Sequence, residues 1–206
     1  TSLRVGDAMG QTFSPPTASV SGVHDVIETG SNLGDGNRHA ECTDCHDVHA
    51  TVASNPLKGV WGVTPTSWPA RPTPSDNSVV FAAPSGYNVV SSGAEEWQIC
   101  LKCHSNYISL PGGSPNLAEE INPNYESMHG IAAPGTNPNA NSTTMNEPWG
   151  TTSQSACSDC HRSGNVSDPG GPHGSNLEHL LVASVSSNIS TGTPLCYNCH
   201  KETVYW

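Results

Sequence analysis

Core-forming side chains are scarce in this 206-residue chain. Leu, Ile, Val and Phe number 10, 6, 16 and 2, so 34 of 206 residues, or 16.5%. A polypeptide ordinarily needs more than that to build its own interior. Basic residues are also few. Seven Lys and Arg stand against 18 Asp and Glu, a formal net charge of -11, which leaves no electrostatic footprint for nucleic acid. No apolar run approaches the roughly 20 residues that would span a bilayer. No secretory leader is visible, and the chain opens on Thr1 rather than Met, so a processed, mature form is expected. Gly and Pro are abundant, at 20 and 17 residues. Yet the charge density that marks disordered chains is weak. Something other than aliphatic side chains must therefore supply the interior.

What the chain does have is eight Cys and ten His, and they are not scattered. All eight Cys fall into four pentads of one form: Cys42-Thr43-Asp44-Cys45-His46, Cys100-Leu101-Lys102-Cys103-His104, Cys157-Ser158-Asp159-Cys160-His161 and Cys196-Tyr197-Asn198-Cys199-His200. Each is C-x-x-C-H, the attachment pattern for c-type haem. Two thiols must reach two vinyl groups on one porphyrin edge, and the next residue must bring an imidazole under the iron. Two intervening residues in a tight helical turn give that separation. A C-x-x-C pair alone would also suit half a zinc site or a redox dithiol, but neither demands His directly after the second Cys. With ten His in 206 residues, four such coincidences have a chance on the order of one in 10^5.

These pentads make the chain resemble the multihaem c-type cytochromes. One haem per about 50 residues accounts for the thin aliphatic content, because a haem is itself a large apolar plate. The resemblance implies four covalently bound c-type haems and an exported protein. Four irons have eight axial positions, and His46, His104, His161 and His200 fill four as proximal ligands. Six His remain: His24, His39, His49, His129, His173 and His179. Met9, Met128 and Met145 are the only methionines. The supply permits His on both sides of every iron, an arrangement without the raised potential of Met ligation and without an open position for a substrate.

The first-choice distal ligands are His24, His49, His129 and His173, with His39 and His179 as second choices. His49 follows His46 by three residues, and a helical turn would put both imidazoles on one side. His129 and His173 each precede a Gly, which lets backbone pass close to a porphyrin face. His39 either turns back over a haem or lies exposed. His179 falls off the apolar stripe of Leu177, Leu180 and Leu181 in an expected helix from Ser175 to Val185, capped by Ser175 and Glu178, and so should point outward. His24 sits on an N-terminal arm. It is either solvated or a ligand reached across a distance, within the chain or on a neighbouring subunit.

The expected fold is mostly irregular coil with a few short α-helices and a short β-hairpin, a multihaem cytochrome c wrapped around a haem row. Residues 1–206 form one tetrahaem domain, with 1–38 a possible subunit-contacting arm. Helices are expected at Glu95–His104, Leu117–Ile121 and Ser175–Val185, and around the later pentads. Val79-Val80-Phe81 and Tyr87-Asn88-Val89-Val90 flank a Pro84-Ser85-Gly86 turn and read as the hairpin. The five Trp either pad haem edges or pack conventionally.

The pattern points to electron carriage, in which the protein fixes separation, ligand and burial while the cofactor does the chemistry. The acidic, loop-dominated sequence with its spare His resembles the four-haem outer-surface filament cytochromes (OmcE-type nanowires). That resemblance implies head-to-tail self-association into an extracellular filament, with redox partner proteins or extracellular acceptors at its ends. In filament cytochromes of this kind a His of one subunit can ligate a haem of the next, and His24 matches that role. A discrete periplasmic shuttle is the alternative. A multihaem reductase would need one iron with an open site, and no cluster of acid, base and oxyanion groups accompanies the pentads. A zinc-binding or disulfide-stapled module would be colourless.

Overall fold

The computed structural model of the chain describes residues 4–17, 40–70, 82–92, 94–108, 115–125, 129–185 and 194–205. Most of these residues are in turns and irregular structure. Regular elements are α1 (Val5–Met9), α2 (Cys42–Cys45), β1 (Gly62–Pro65), β2 (Tyr87–Val90), α3 (Glu96–Cys100), α4 (Leu117–Glu120), α5 (Cys157–Cys160) and α6 (Glu202–Tyr205), with 3-10 turns at Glu178–Leu180 and Leu195–Asn198. Among the described residues no helix is long and apolar enough to cross a membrane.

The chain divides into two compact units, Pro16–Met128 and Thr1–Pro15 with His129–Trp206. The first holds the Cys42 and Cys100 pentads, and the second holds the Cys157 and Cys196 pentads. Of the 1–38 arm, residues 1–3 and 18–38 lie outside the described residues.

The Pro16–Met128 unit has a small apolar core. β1 and β2 pair antiparallel with Gly62 opposite Val90 and Pro65 opposite Tyr87. Val63 is fully buried, and Val60, Ala94 and Ile99 cluster with Leu57 and Val90 beside the ribbon. Gly62 is required here by close approach, since a Cβ on it would lie 2.8 Å from the Gln98 carbonyl carbon. That contact seats α3 on β1. Tyr87–Val90 is thus a strand, as expected, but its partner is Gly62–Pro65; Val79–Phe81 lies outside the described residues. α3 and α4 form within the expected Glu95–His104 and Leu117–Ile121 segments. Trp68 and Trp97 pack on one another with centroids 6.0 Å apart.

The second unit has almost no side-chain core. Among its described residues the buried apolar side chains are Ala8, Met145 and Tyr197. What holds it together is mostly backbone. Phe13 and Ser175 exchange both backbone hydrogen bonds, at 2.9 and 2.8 Å. Gln11 Nε2 donates to Ser163 Oγ at 2.8 Å and Asp168 Oδ2 at 2.7 Å. Gln11 and Phe13 are therefore built into this unit.

The expected Ser175–Val185 helix does not form. Only Glu178–Leu180 makes a 3-10 turn, and His179 and Leu180 both have left-handed φ, 60° and 59°. Tertiary pairing overrides the local signal. Ser175 is bridged to Phe13, its hydroxyl donates to the Leu181 carbonyl, and Leu181 and Val182 run beside His161 and Cys160. The capping-box pattern of Ser175 and Glu178 is spent on a turn instead. His179 points outward as expected, with a side chain 77% exposed, but because of the turn and not of a helix face.

Candidate functional site

Each pentad sits on one tight turn, and the sequence inside it explains why. In α2 the Asp44 carboxylate reaches back to the Glu41 backbone N–H at 2.6 Å, and in α5 Asp159 does the same to Ala156 at 2.8 Å. An acid at the third helical position thereby satisfies one of the orphan donors that open a helix. The Cys100 pentad has Lys in that place. Its turn continues α3, whose start is capped by Gln98 accepting from the Glu95 N–H at 2.8 Å. In the fourth pentad Leu195–Asn198 tightens to a 3-10 turn behind Pro194. In all four the N–H of the His closes the turn onto the carbonyl of the first Cys, at 2.8–2.9 Å. One turn thus sets both Cys of each pentad and the His that follows.

The pentads meet in pairs. In the Pro16–Met128 unit, the buried Lys102 of the second pentad donates through Nζ to the Asp44 carbonyl of the first, 4.2 Å above the Trp61 ring centroid. Burial pulls its pKa down, and the nearby Cys45 and Asp44 push it back up. Cys45 is raised by burial and lowered by Lys102. In the other unit, burial pushes the Cys199 thiol up to about 11, with Cys160 the next cause. Cys160 is raised by burial, then by Asp159, Cys157 and Cys196.

Two proximal imidazoles are oriented by backbone carbonyls. His46 Nδ1 lies 2.9 Å from the Pro56 carbonyl and His161 Nδ1 lies 2.7 Å from the His179 carbonyl. A carbonyl only accepts, so Nδ1 carries a proton, and in the neutral ring Nε2 then keeps the lone pair. This is the tautomer that a ring ligating a metal through Nε2 requires. The left-handed backbone at His179 is what aims its carbonyl at His161, so His179 enters the site through its backbone. The pentads gave no signal for these carbonyl partners.

His200 is held differently. Residues 144–146 clamp the fourth pentad: Met145 bridges His200, the Asn146 N–H donates to the Cys199 carbonyl at 2.8 Å, and Asn146 Nδ2 donates to the Tyr197 carbonyl at 2.8 Å. Its ring faces His129, with centroids 6.4 Å apart and planes at 68°. Burial, then the neighbouring His129, lowers the His200 pKa. His104 is exposed, and its carbonyl accepts from the Leu117 N–H at 2.9 Å.

The other sequence-selected His divide as follows. His173 is half-buried, between Gly171 and Gly174. Around Gly130 and Gly174 the space that a Cβ would take is filled by backbone, Gly135 N at 2.6 Å and Ala8 O at 1.9 Å. Both glycines are thus needed for chain packing. His49 is exposed in the 48–50 turn. The helical-turn argument for it fails, because α2 ends at Cys45 and His46 is extended, with φ -134° and ψ 127°. His24 and His39 lie outside the described residues.

The residues present fit covalent haem: paired thiols on single turns, two imidazoles, His46 and His161, turned so that Nδ1 is taken up by a carbonyl, and a unit with scarcely any apolar core of its own. Among the described residues no three or more His, Cys, Asp or Glu gather as a metal site. The family model described as the doubled CXXCH motif matches residues 150–205, the stretch holding the third and fourth pentads. No curated protein and no solved structure matches the chain. The doubled motif, on turns built to present two thiols and an imidazole, points to a multihaem c-type cytochrome that binds haem covalently and transfers electrons.

Proposed function

We propose that the chain carries four c-type haems, each with His on both faces, and relays electrons between them without itself being an enzyme. The observation that carries this reading is the use of all eight cysteines in four C-x-x-C-H turns, two to each compact unit. Haem supplies the redox chemistry. The chain's residues attach it, orient the proximal imidazoles and pack around its edges. Pairing of pentads within each unit brings two attachment turns close together, as electron hopping between neighbouring haems needs.

The chain further polymerises head to tail into an extracellular filament. Its acidic, loop-rich composition and spare His support this, and a contact that does not close on itself gives an open polymer. His24, outside the described residues, is the candidate ligand to a neighbour's iron. Redox partner proteins or extracellular acceptors exchange electrons with the filament, while a discrete periplasmic shuttle is the competing arrangement.

Intact mass of the secreted protein should exceed that of the bare chain by four haems; a colourless protein of bare-chain mass would refute the reading. Electron microscopy should show fibres, lost in His24→Ala with four haems retained. Single particles from the unaltered protein would favour the shuttle.

A further inference from the structure

We infer that His129 and His200 are the two axial ligands of a single iron, that of the Cys196–Cys199 haem. The inference rests on the haem reading above and goes beyond it by pairing two residues. A first-row metal bonds an imidazole nitrogen at about 2 Å, and the ring centre lies about 1.2 Å beyond, so two imidazoles on opposite sides of one metal hold their centroids about 6.3 Å apart. The observed separation is 6.4 Å. Among the described residues no other two imidazoles are in ring contact.

The two rings arrive at this spacing from independently anchored backbones. The Met145 bridge and Asn146 fix the His200 turn, and the Lys201 N–H donates to the Thr144 carbonyl at 2.9 Å. Next to His129, Gly130 is wedged among Gly135, Ser153 and Ala133, and its carbonyl accepts from the Ser155 N–H at 2.6 Å. A plain edge-to-face contact also tolerates such a distance, since aromatic centroids sit about 4.5–7 Å apart. Such a contact contributes little where one ring, His129, is exposed and the other, His200, is half-buried, whereas the pentad His of a haem needs a second ligand on the far side of its iron. The consequence is specific. The fourth haem is completed by one chain, so a neighbour's His24 is required, if anywhere, at one of the first three pentads.

The 68° between ring planes gives a readout that needs no variant. Nearly perpendicular axial imidazoles give a ferric low-spin haem a strongly anisotropic electron paramagnetic resonance signal with one large g value, and nearly parallel rings give an ordinary rhombic one. The full-length holoprotein should show the strongly anisotropic signal. In His129→Met one haem should change from His/His to His/Met, with the red-region sulfur-to-iron charge-transfer band and a raised potential. In His129→Ala one haem should turn high-spin and return to low-spin when imidazole is added. Haem count by mass should stay at the unaltered value throughout. Entirely rhombic signals in the unaltered protein, or His/His spectra for every haem in a fully loaded His129→Met, would overturn the pairing. A protein without haem would instead overturn the reading on which it rests.

Discussion

Gly174→Ala tests how the second unit is assembled without a core. A methyl at residue 174 would lie 1.9 Å from the Ala8 carbonyl oxygen and 2.7 Å from its carbon, so one backbone segment must retreat by more than about 1 Å to reach ordinary contact. Neither segment is loose. Ala8 is fully buried, and Ser175, the next residue, exchanges two hydrogen bonds with Phe13. Inserting a methyl into packed structure typically costs about 1–3 kcal/mol, and a site blocked by backbone belongs at the top of that range. The alternative is release of residues 4–15. That forfeits two backbone hydrogen bonds at about 1 kcal/mol each and the Gln11 bond to the Asp168 carboxylate at about 1.5–3 kcal/mol. The first route costs about 3 kcal/mol and the second about 3.5–5 kcal/mol, so the cheaper one sets an expected loss of about 3 kcal/mol. Denaturant unfolding of the holoprotein measures it, and faster amide exchange at Phe13 and Ser175 shows whether the segment has detached. Gly170→Ala, with nothing within 4 Å of the added methyl, is the control. If Gly174→Ala unfolds within about 0.5 kcal/mol of the unaltered protein, the reasoning that backbone contact holds this unit is wrong.

His179→Gly should leave the haem spectra unchanged and stability equal or up to about 1 kcal/mol higher, because its side chain is exposed and its φ suits glycine; loss of a low-spin haem would make its ring a ligand after all. Asp159→Ala, removing the carboxylate that caps α5, should cost about 1 kcal/mol and lower haem occupancy of the third pentad by mass, while Ser158→Ala should not. Burial holds the Tyr87 phenol above its usual value of 10.0, helped by Glu119 and opposed by Ser105 and Asn106. Its folded pKa is thus higher than its unfolded one, so the stability it adds is complete below the unfolded value and is lost as pH rises through the folded value. Urea midpoints of the unaltered protein should fall across this alkaline range more steeply than those of Tyr87→Phe; parallel profiles would contradict the assignment.

The four C-x-x-C-H turns were legible because the chemistry such a motif serves is local. Two thiols and an imidazole must be fixed within five residues, so the pattern is written contiguously, and the Asp at the third helical place adds its own cap. Coil-rich architecture was legible from the shortage of aliphatic residues and the excess of Gly and Pro. Strand Tyr87–Val90 was legible from its composition but its partner was not, since pairing with Gly62–Pro65 depends on Gly62 admitting α3. The Ser175–Val185 segment misled for a related reason. Its capping residues and leucine spacing are helical, but hydrogen bonds to Phe13 and Cys160 and the bridge to His161 outweigh a propensity worth a few tenths of a kcal/mol per residue.

The sequence by itself determined that this chain presents four thiol pairs, each followed by an imidazole, and that it lacks the apolar mass to make a large interior of side chains. Only the tertiary structure decided which pentads lie together, that carbonyls of Pro56 and His179 orient His46 and His161, and that His129 stands opposite His200. Covalent attachment needs neighbours along the chain, whereas ring contact and imidazole orientation need neighbours in space, which the pentads themselves do not name.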